Sequence, residues 1–241
     1  MKGAKQTTLR DQVAVSGIGV HSGSPVNLTL NPADDDTGIV FQRVSSDGSI
    51  EREIRADVRA VTATEFATVL GDAKGPLCST AEHLLATLRG LGVDNVVVEI
   101  DGPEVPIMDG SAAAFVDAID QAGLTAHALP RRYIEVIKPV RVSKDGAQGE
   151  LRPYQHGFRV EAEIEFDHPL IGRLALAGQP LLAAYRTVRG GHKLNHAVLS
   201  ALMADRSAWR VIEATEPARR ARGHAQVGAG RLAAAYGPEM S

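Results

Sequence analysis

The chain has one cysteine, Cys78, in 241 residues. A single thiol excludes an internal disulfide framework, and a reducing cytoplasm is the compartment expected for it. No apolar run approaches the roughly 18 residues a helix needs to cross a bilayer, so stable membrane insertion is not expected. The stretch MKGAKQTTLR (1–10) lacks the apolar core of a secretory signal. Basic residues are not in excess: 26 Lys and Arg face 29 Asp and Glu, a formal net charge of −3, which argues against general nucleic-acid binding. What is left is the composition of a soluble globular protein, long enough for one large domain or two of ordinary size.

The apolar pattern opens with strands. VNLTLNP (26–32) puts Val26, Leu28 and Leu30 on one face, the period of a half-buried strand. GIVFQRV (38–44) and the run 53–70 continue this character, with DDDTG and SSDGS as turn clusters. The texture changes at STAEHLLATLRGLG (79–92), where Leu84, Leu85, Leu88 and Leu91 recur at helical spacing before Gly90 and Gly92. NVVVEI (95–100) reads as a strand, and a second helix follows with Phe115, Val116 and Ile119 as its stripe. TAHALPRR (125–132) reads as a linker. Beyond it the order repeats: YIEVIKPVRV, GELRPY, FRVEAEIEF and QPLLAAYRTV as strands, then HKLNHAVLSALMADRSAW as a helix. Both halves run strands first and then strand and helix, which points to two similar α+β layers packed face to face. The Ala-, Gly- and Arg-rich residues 215–241 have little apolar periodicity and read as a flexible tail.

Two places carry candidate chemistry. Glu82 and His83 stand where the first helix begins. Ser79-x-x-Glu82 matches a capping box, which would leave His83 an ordinary first-turn histidine. The same pair also suits an imidazole metal ligand beside a carboxylate that takes a proton from metal-bound water. In GGHKLNH (190–196), His192 and His196 lie four apart, as two ligands on one helical face would. They also suit the outer side of a helix packed by Leu194, Val198 and Leu202.

GIGVHSG (17–23), STAEHLL (79–85), LGVDNVVVEI (91–100) and EVPIMDGSAAAFVDAI (104–119), in this order and spacing, resemble the zinc-dependent UDP-3-O-acyl-N-acetylglucosamine deacetylases of bacterial lipid A synthesis. The resemblance continues through FRVEAEIEFDHPLIG (158–172) and resumes at LAGQPLLAAYRTVRGGHKLNHAVLSALMADRSAW (176–209). It implies that His83 is a zinc ligand and Glu82 the general base. It implies a loop bordering the metal at Thr64, Glu65 and Phe66, and a place near the cleft for His21. The family's other two ligands, a His and an Asp, lie in an HKxxD helix. A further histidine in a GH-x-LN motif stabilises the oxyanion and protonates the leaving amine. HKLNHAVL can be laid on HKxxD, making His196 a ligand, or on GH-x-LN, making His192 the acid. The flanks YRTVRGGH and LSALMADRSAW favour the second alignment.

On that alignment, DHPLIG passes through Arg173 straight into LALAGQPLL, where the family has several tens of residues more. Those residues carry the family's second and third ligands, which have no match here. The expected fold is α+β: two similar domains, each a β-sheet layer with helices, packed as a sandwich with helices inside, the second truncated. The expected boundaries are 1–127, 128–214 and the tail 215–241. The expected cofactor is Zn2+. The expected partner is a small-molecule UDP-acyl-aminosugar substrate, with no nucleic acid, for a cytoplasmic monomer. A non-catalytic remnant or binding paralogue of the deacetylase is the alternative.

Overall fold

The computed structural model describes residues 4–144, 146–155, 159–165, 170, 172–178 and 204–213. The chain begins with β1 (Lys5–Leu9), β2 (Val13–Ile18), β3 (Pro25–Pro32), β4 (Ile39–Val44) and β5 (Ile50–Arg55). Short strands β6 (Val61–Ala63), β7 (Val69–Asp72) and β8 (Gly75–Cys78) lead into helix α1 (Glu82–Leu91). Strand β9 (Val96–Ile100), helix α2 (Ala113–Ala122) and strand β10 (Leu124–Pro130) follow. The later strands are β11 (Arg132–Val136), β12 (Val140–Lys144), β13 (Ala147–Leu151), β14 (Val160–Glu165), β15 (Arg173–Gly178) and β16 (Trp209–Glu213). The fold is α+β, as the pattern of apolar residues indicated.

A five-stranded sheet ordered β2-β3-β9-β4-β5 is the main layer, antiparallel except where β4 runs parallel to β9. Alternation fixes its register: Val26, Leu28 and Leu30 of β3 are buried while Asn27 is exposed. The DDDTG turn uses Asp36 at φ 62° and Gly38 at φ 73°, and the SSDGS turn uses Gly48 at φ 81°. β6, β7 and β8 form a second small sheet. Leu84 and Leu88 of α1 and Phe115 and Ile119 of α2 join Leu28, Phe41, Val98 and Ile100 in one core, each fully buried. Helix α1 ends at Gly92, whose φ of 79° lets its N–H reach back to the carbonyls of Leu88 and Arg89.

Two sequence-based expectations need correcting. Residues 125–132 are not a linker: β10 pairs antiparallel with β1, from Leu9↔Leu124 to Lys5↔Pro130. Arg131, just beyond, donates from Nη2 to the Gly92 carbonyl at 2.5 Å and from Nε to Asp94 Oδ2 at 2.8 Å. Its polar residues read as linker because only one side of a two-stranded ribbon needs apolar cover. The helix expected to reach Trp209 also stops short, since Arg206–Ala208 form a 3-10 turn and Trp209 opens β16. β16 pairs with β11, β12 with β13 and β14 with β15, all antiparallel. The strand expected at QPLLAAYRTV and the helix from HKLNH lie outside the described residues.

Phe41 is wholly buried whereas Ile50 is 56% exposed, although both lie on the β4–β5 hairpin. Urea unfolding should therefore show Phe41→Ala losing about 3–5 kcal/mol and Ile50→Ala within about 0.5 kcal/mol of the wild type.

Candidate functional site

Helix α1 brings Glu82 and His83 into its first turn, both half-buried. The capping box read at Ser79–Glu82 is absent: Ala81 is the N-cap and makes no side-chain cap bond. The reason is Thr80, whose φ of 57° turns the chain between Ser79 and the helix. Ser79 belongs instead to a parallel bridge with Glu104, its N–H donating to the Pro103 carbonyl and its carbonyl accepting from the Val105 N–H, both at 3.0 Å. Glu82 Oε2 accepts the backbone N–H of Thr68 at 2.9 Å, and the Ala81 N–H donates to the Thr68 carbonyl at 3.2 Å. The carboxylate thus ties α1 to the segment following Thr64, Glu65 and Phe66. In that loop Thr64 is half-buried, Glu65 is exposed, and Phe66 is 88% exposed at a φ of 60°. The His83 carbonyl accepts the Thr87 hydroxyl at 2.8 Å, which satisfies a buried side chain inside the helix.

His21 sits in the exposed turn after β2. What holds that turn is Glu104, a residue the sequence reading passed over. Its side chain is 1% exposed. The His21 N–H donates to both carboxylate oxygens at 3.1 Å, the Ser22 N–H to Oε2 at 2.8 Å, and the Thr80 hydroxyl to Oε1 at 2.7 Å. Burial pushes this carboxyl's pKa up, but the bonds from Thr80, Ser22 and His21 outweigh it and hold the value below the ordinary glutamate range. A signal was present in the sequence: Glu104 is a lone charge inside the otherwise uncharged stretch GPEVPIM (102–108).

The glycines of GIGVHSG are explained by the same contacts. A Cβ on Gly19 would lie 2.3 Å from Glu104 Oε2 and from Ser22 Oγ. A Cβ on Gly17 would lie 2.9 Å from Pro106 Cβ and 3.0 Å from Met108 Sδ. GIG and EVPIM are therefore interlocking parts. Beyond them Asp109 Oδ1 accepts the N–H and hydroxyl of Ser111 at 2.9 and 2.7 Å, shaping the entry to α2. Four non-glycine residues among those described have positive φ, and three of them (Phe66, Thr80 and Met108) lie in these segments. Backbone held in such sparsely populated regions tends to mark functional sites.

The structure thus ties His21 to the base of α1 through Glu104, and the 64–66 loop to it through Glu82. A shallow cleft bordered by Arg43, Ser45, Ser46, Glu51 and Asp101 includes none of the expected site residues. His192 and His196 lie outside the described residues. Among the described residues no three His, Cys, Asp or Glu side chains stand together as a metal site.

Fold and site together define an α+β protein that presents a carboxylate–imidazole pair at a helix N-terminus. Residues 6–174 match the model of the UDP-3-O-acyl N-acetylglycosamine deacetylase family, LpxC, and the chain belongs to that family of hydrolases. Relatives named UDP-3-O-acyl-N-acetylglucosamine deacetylase from Brucella ovis and Brucella canis are each 35% identical to it over 88% of this chain and 99% of theirs. The corresponding protein of Brucella melitensis is 34% identical over the same shares. The family match ends at Leu174, one residue beyond Arg173. The alignments run over 288 positions, but 88% of this 241-residue chain is only about 212 residues, so about 76 aligned positions of the relatives face no residue here. The second half is shortened, as expected.

Gly19→Ala should cost about 2–3 kcal/mol in urea unfolding, since the new methyl must push into a buried carboxylate and its donors. Glu104 also sets an acid dependence. Its folded pKa is depressed, so its contribution is complete above the unfolded value of about 4.3 and is lost as pH falls through the folded value. Unfolding measured from pH 6 down to about pH 3 should show that decline in the wild type, with a shallower slope in Glu104→Gln.

Proposed function

We propose that this chain carries the activity its relatives are named for: hydrolysis of the N-acetyl group of a UDP-3-O-acyl-N-acetylglucosamine, with release of acetate, in lipid A biosynthesis. The observation that supports this most is the 35% identity over 88% of this chain to proteins named for that activity, with Glu82 and His83 together at the start of α1.

Zinc is the cofactor the resemblance implies. Catalytic zinc takes three protein ligands, and among the described residues no three His, Cys, Asp or Glu side chains gather around His83 or anywhere else. The described donor set does not fit the ion. What the chain's own residues supply is base chemistry. Glu82 is half-buried, fixed by the Thr68 N–H, and placed in the first turn of α1 beside His83. In hydrolysis it takes the proton of the water whose oxygen bonds the acetamide carbon. The C–N bond then breaks, acetate leaves, and the amine takes a proton from an acid, the role assigned to His192. His21, Thr64, Glu65 and Phe66 border the substrate in this reading.

A second reading is favoured by the same shortage of donors and by the unmatched positions after Leu174: a binding paralogue that keeps the fold without turnover. Metal analysis and acetate release of the purified full chain separate the two. The deacetylase reading expects about one zinc per chain, lost in His83→Ala, and acetate release reduced by about 10²–10⁴-fold in Glu82→Gln. Zinc far below stoichiometric, with no acetate released, sinks it for this chain. If His192 is the acid, His192→Ala keeps the metal and loses activity. If His196 replaces the absent ligand, His196→Ala strips zinc as His83→Ala does. Zinc retained in all three histidine variants would rule out both ligand arrangements.

A further inference from the structure

We propose that Glu104 is a positioning residue of this site: its buried carboxylate holds the His21 turn and the start of helix α1 as one rigid unit. The inference rests on the functional reading above for what that unit does, and on geometry for its existence. Three donors from two segments far apart in sequence converge on one side chain: the N–H groups of His21 and Ser22, and the hydroxyl of Thr80. Thr80 is three residues ahead of His83, so one carboxylate sets the spacing between His21 and the Glu82–His83 pair. The bridge from Ser79 to Glu104 runs alongside and fixes the same segment through backbone.

Two features separate this from ordinary core satisfaction. Thr80 is β-branched and held at φ 57°, a conformation that persists only where the surroundings impose it. Its hydroxyl bond to Glu104 at 2.7 Å is the bond that imposes it. Gly19 has no side chain where any Cβ would meet the carboxylate, so the turn is shaped to admit Glu104 close to its backbone. A neutral glutamine is the weaker partner. It offers one uncharged acceptor oxygen for the His21 and Ser22 N–H groups, and its NH2 must face Thr80, whose hydroxyl would have to turn from donor to acceptor.

Residue-resolved amide hydrogen exchange on the full chain tests this, with Glu104→Gln compared to Val98→Ala, a core change in β9 that lowers stability without touching the turn. In Glu104→Gln the His21 and Ser22 amides should exchange about tenfold faster relative to the β9 amides of the same variant than they do in the wild type. Val98→Ala should leave the His21 and Ser22 amides as they are. Thr80→Val, which removes one donor and keeps the carboxylate, should raise exchange at the same two amides by about threefold, and Thr80→Ser should restore wild-type rates. It decides the matter if Glu104→Gln does not fold. Where the wild type releases acetate, Glu104→Gln should lower kcat about tenfold with KM unchanged. Unchanged exchange at His21 and Ser22 in both Glu104→Gln and Thr80→Val overturns the proposal, as does equal acceleration in Val98→Ala. A wild type that releases no acetate refutes the proposed function, whereas Glu104 stands or falls on the exchange arm.

Discussion

A buried carboxylate stripped of water is tolerable only if donors replace the water it loses, and Glu104 has those donors. The candidate site depends on that constraint. The turn after β2 and the segment before α1 share no strand pairing, and they meet on this side chain. Hydrogen bonds to a charged group contribute about 1.5–3 kcal/mol each, roughly twice a neutral bond. An apolar residue at position 104 would fill the space but take the acceptor from two backbone N–H groups of the turn and from the buried Thr80 hydroxyl. Charge here therefore serves geometry.

Glu82 repeats the logic at the first turn of α1. Its local sequence suggests a cap for its own helix, yet its oxygen goes to Thr68, and Ser79 goes to the strand-like stretch around Glu104. Both departures come from the φ of Thr80. A capping box requires the chain to enter the helix from extended backbone at the N-cap. A left-handed residue one position earlier redirects it. The two carboxylates are thereby released from local work and bind separate loops to the beginning of α1.

The main strands and both helices of the first half were legible because burial there is one-sided. One-sided burial writes period 2 into β3 and a helical stripe into α1 and α2. The ribbon of β1 and β10 was not, since its polar residues carry little periodicity and Arg131 looks like loop material until its bonds to Gly92 and Asp94 are seen. The site was half legible. Glu82 and His83 could be found because a familiar motif marks them. Glu104, Thr80 and Gly19 act through one another across more than eighty positions, from Gly19 to Glu104, and no window of sequence contains that relation. The shortening after Arg173 was legible as an order of motifs closing too soon, and it is there that the family match ends.

The contrast between the two halves has a physical consequence. The first half is closed by its own parts: β10 returns to pair with β1, and Arg131 clasps the end of α1 through Gly92 and Asp94. Its core draws on the five-stranded sheet and both helices. The described strands of the second half pair as three separate two-stranded ribbons. Ile134 and Val211, register partners on β11 and β16, are 54% and 53% exposed. The carboxylate–imidazole pair stands at the start of α1, in the half whose sheet and helices share that core.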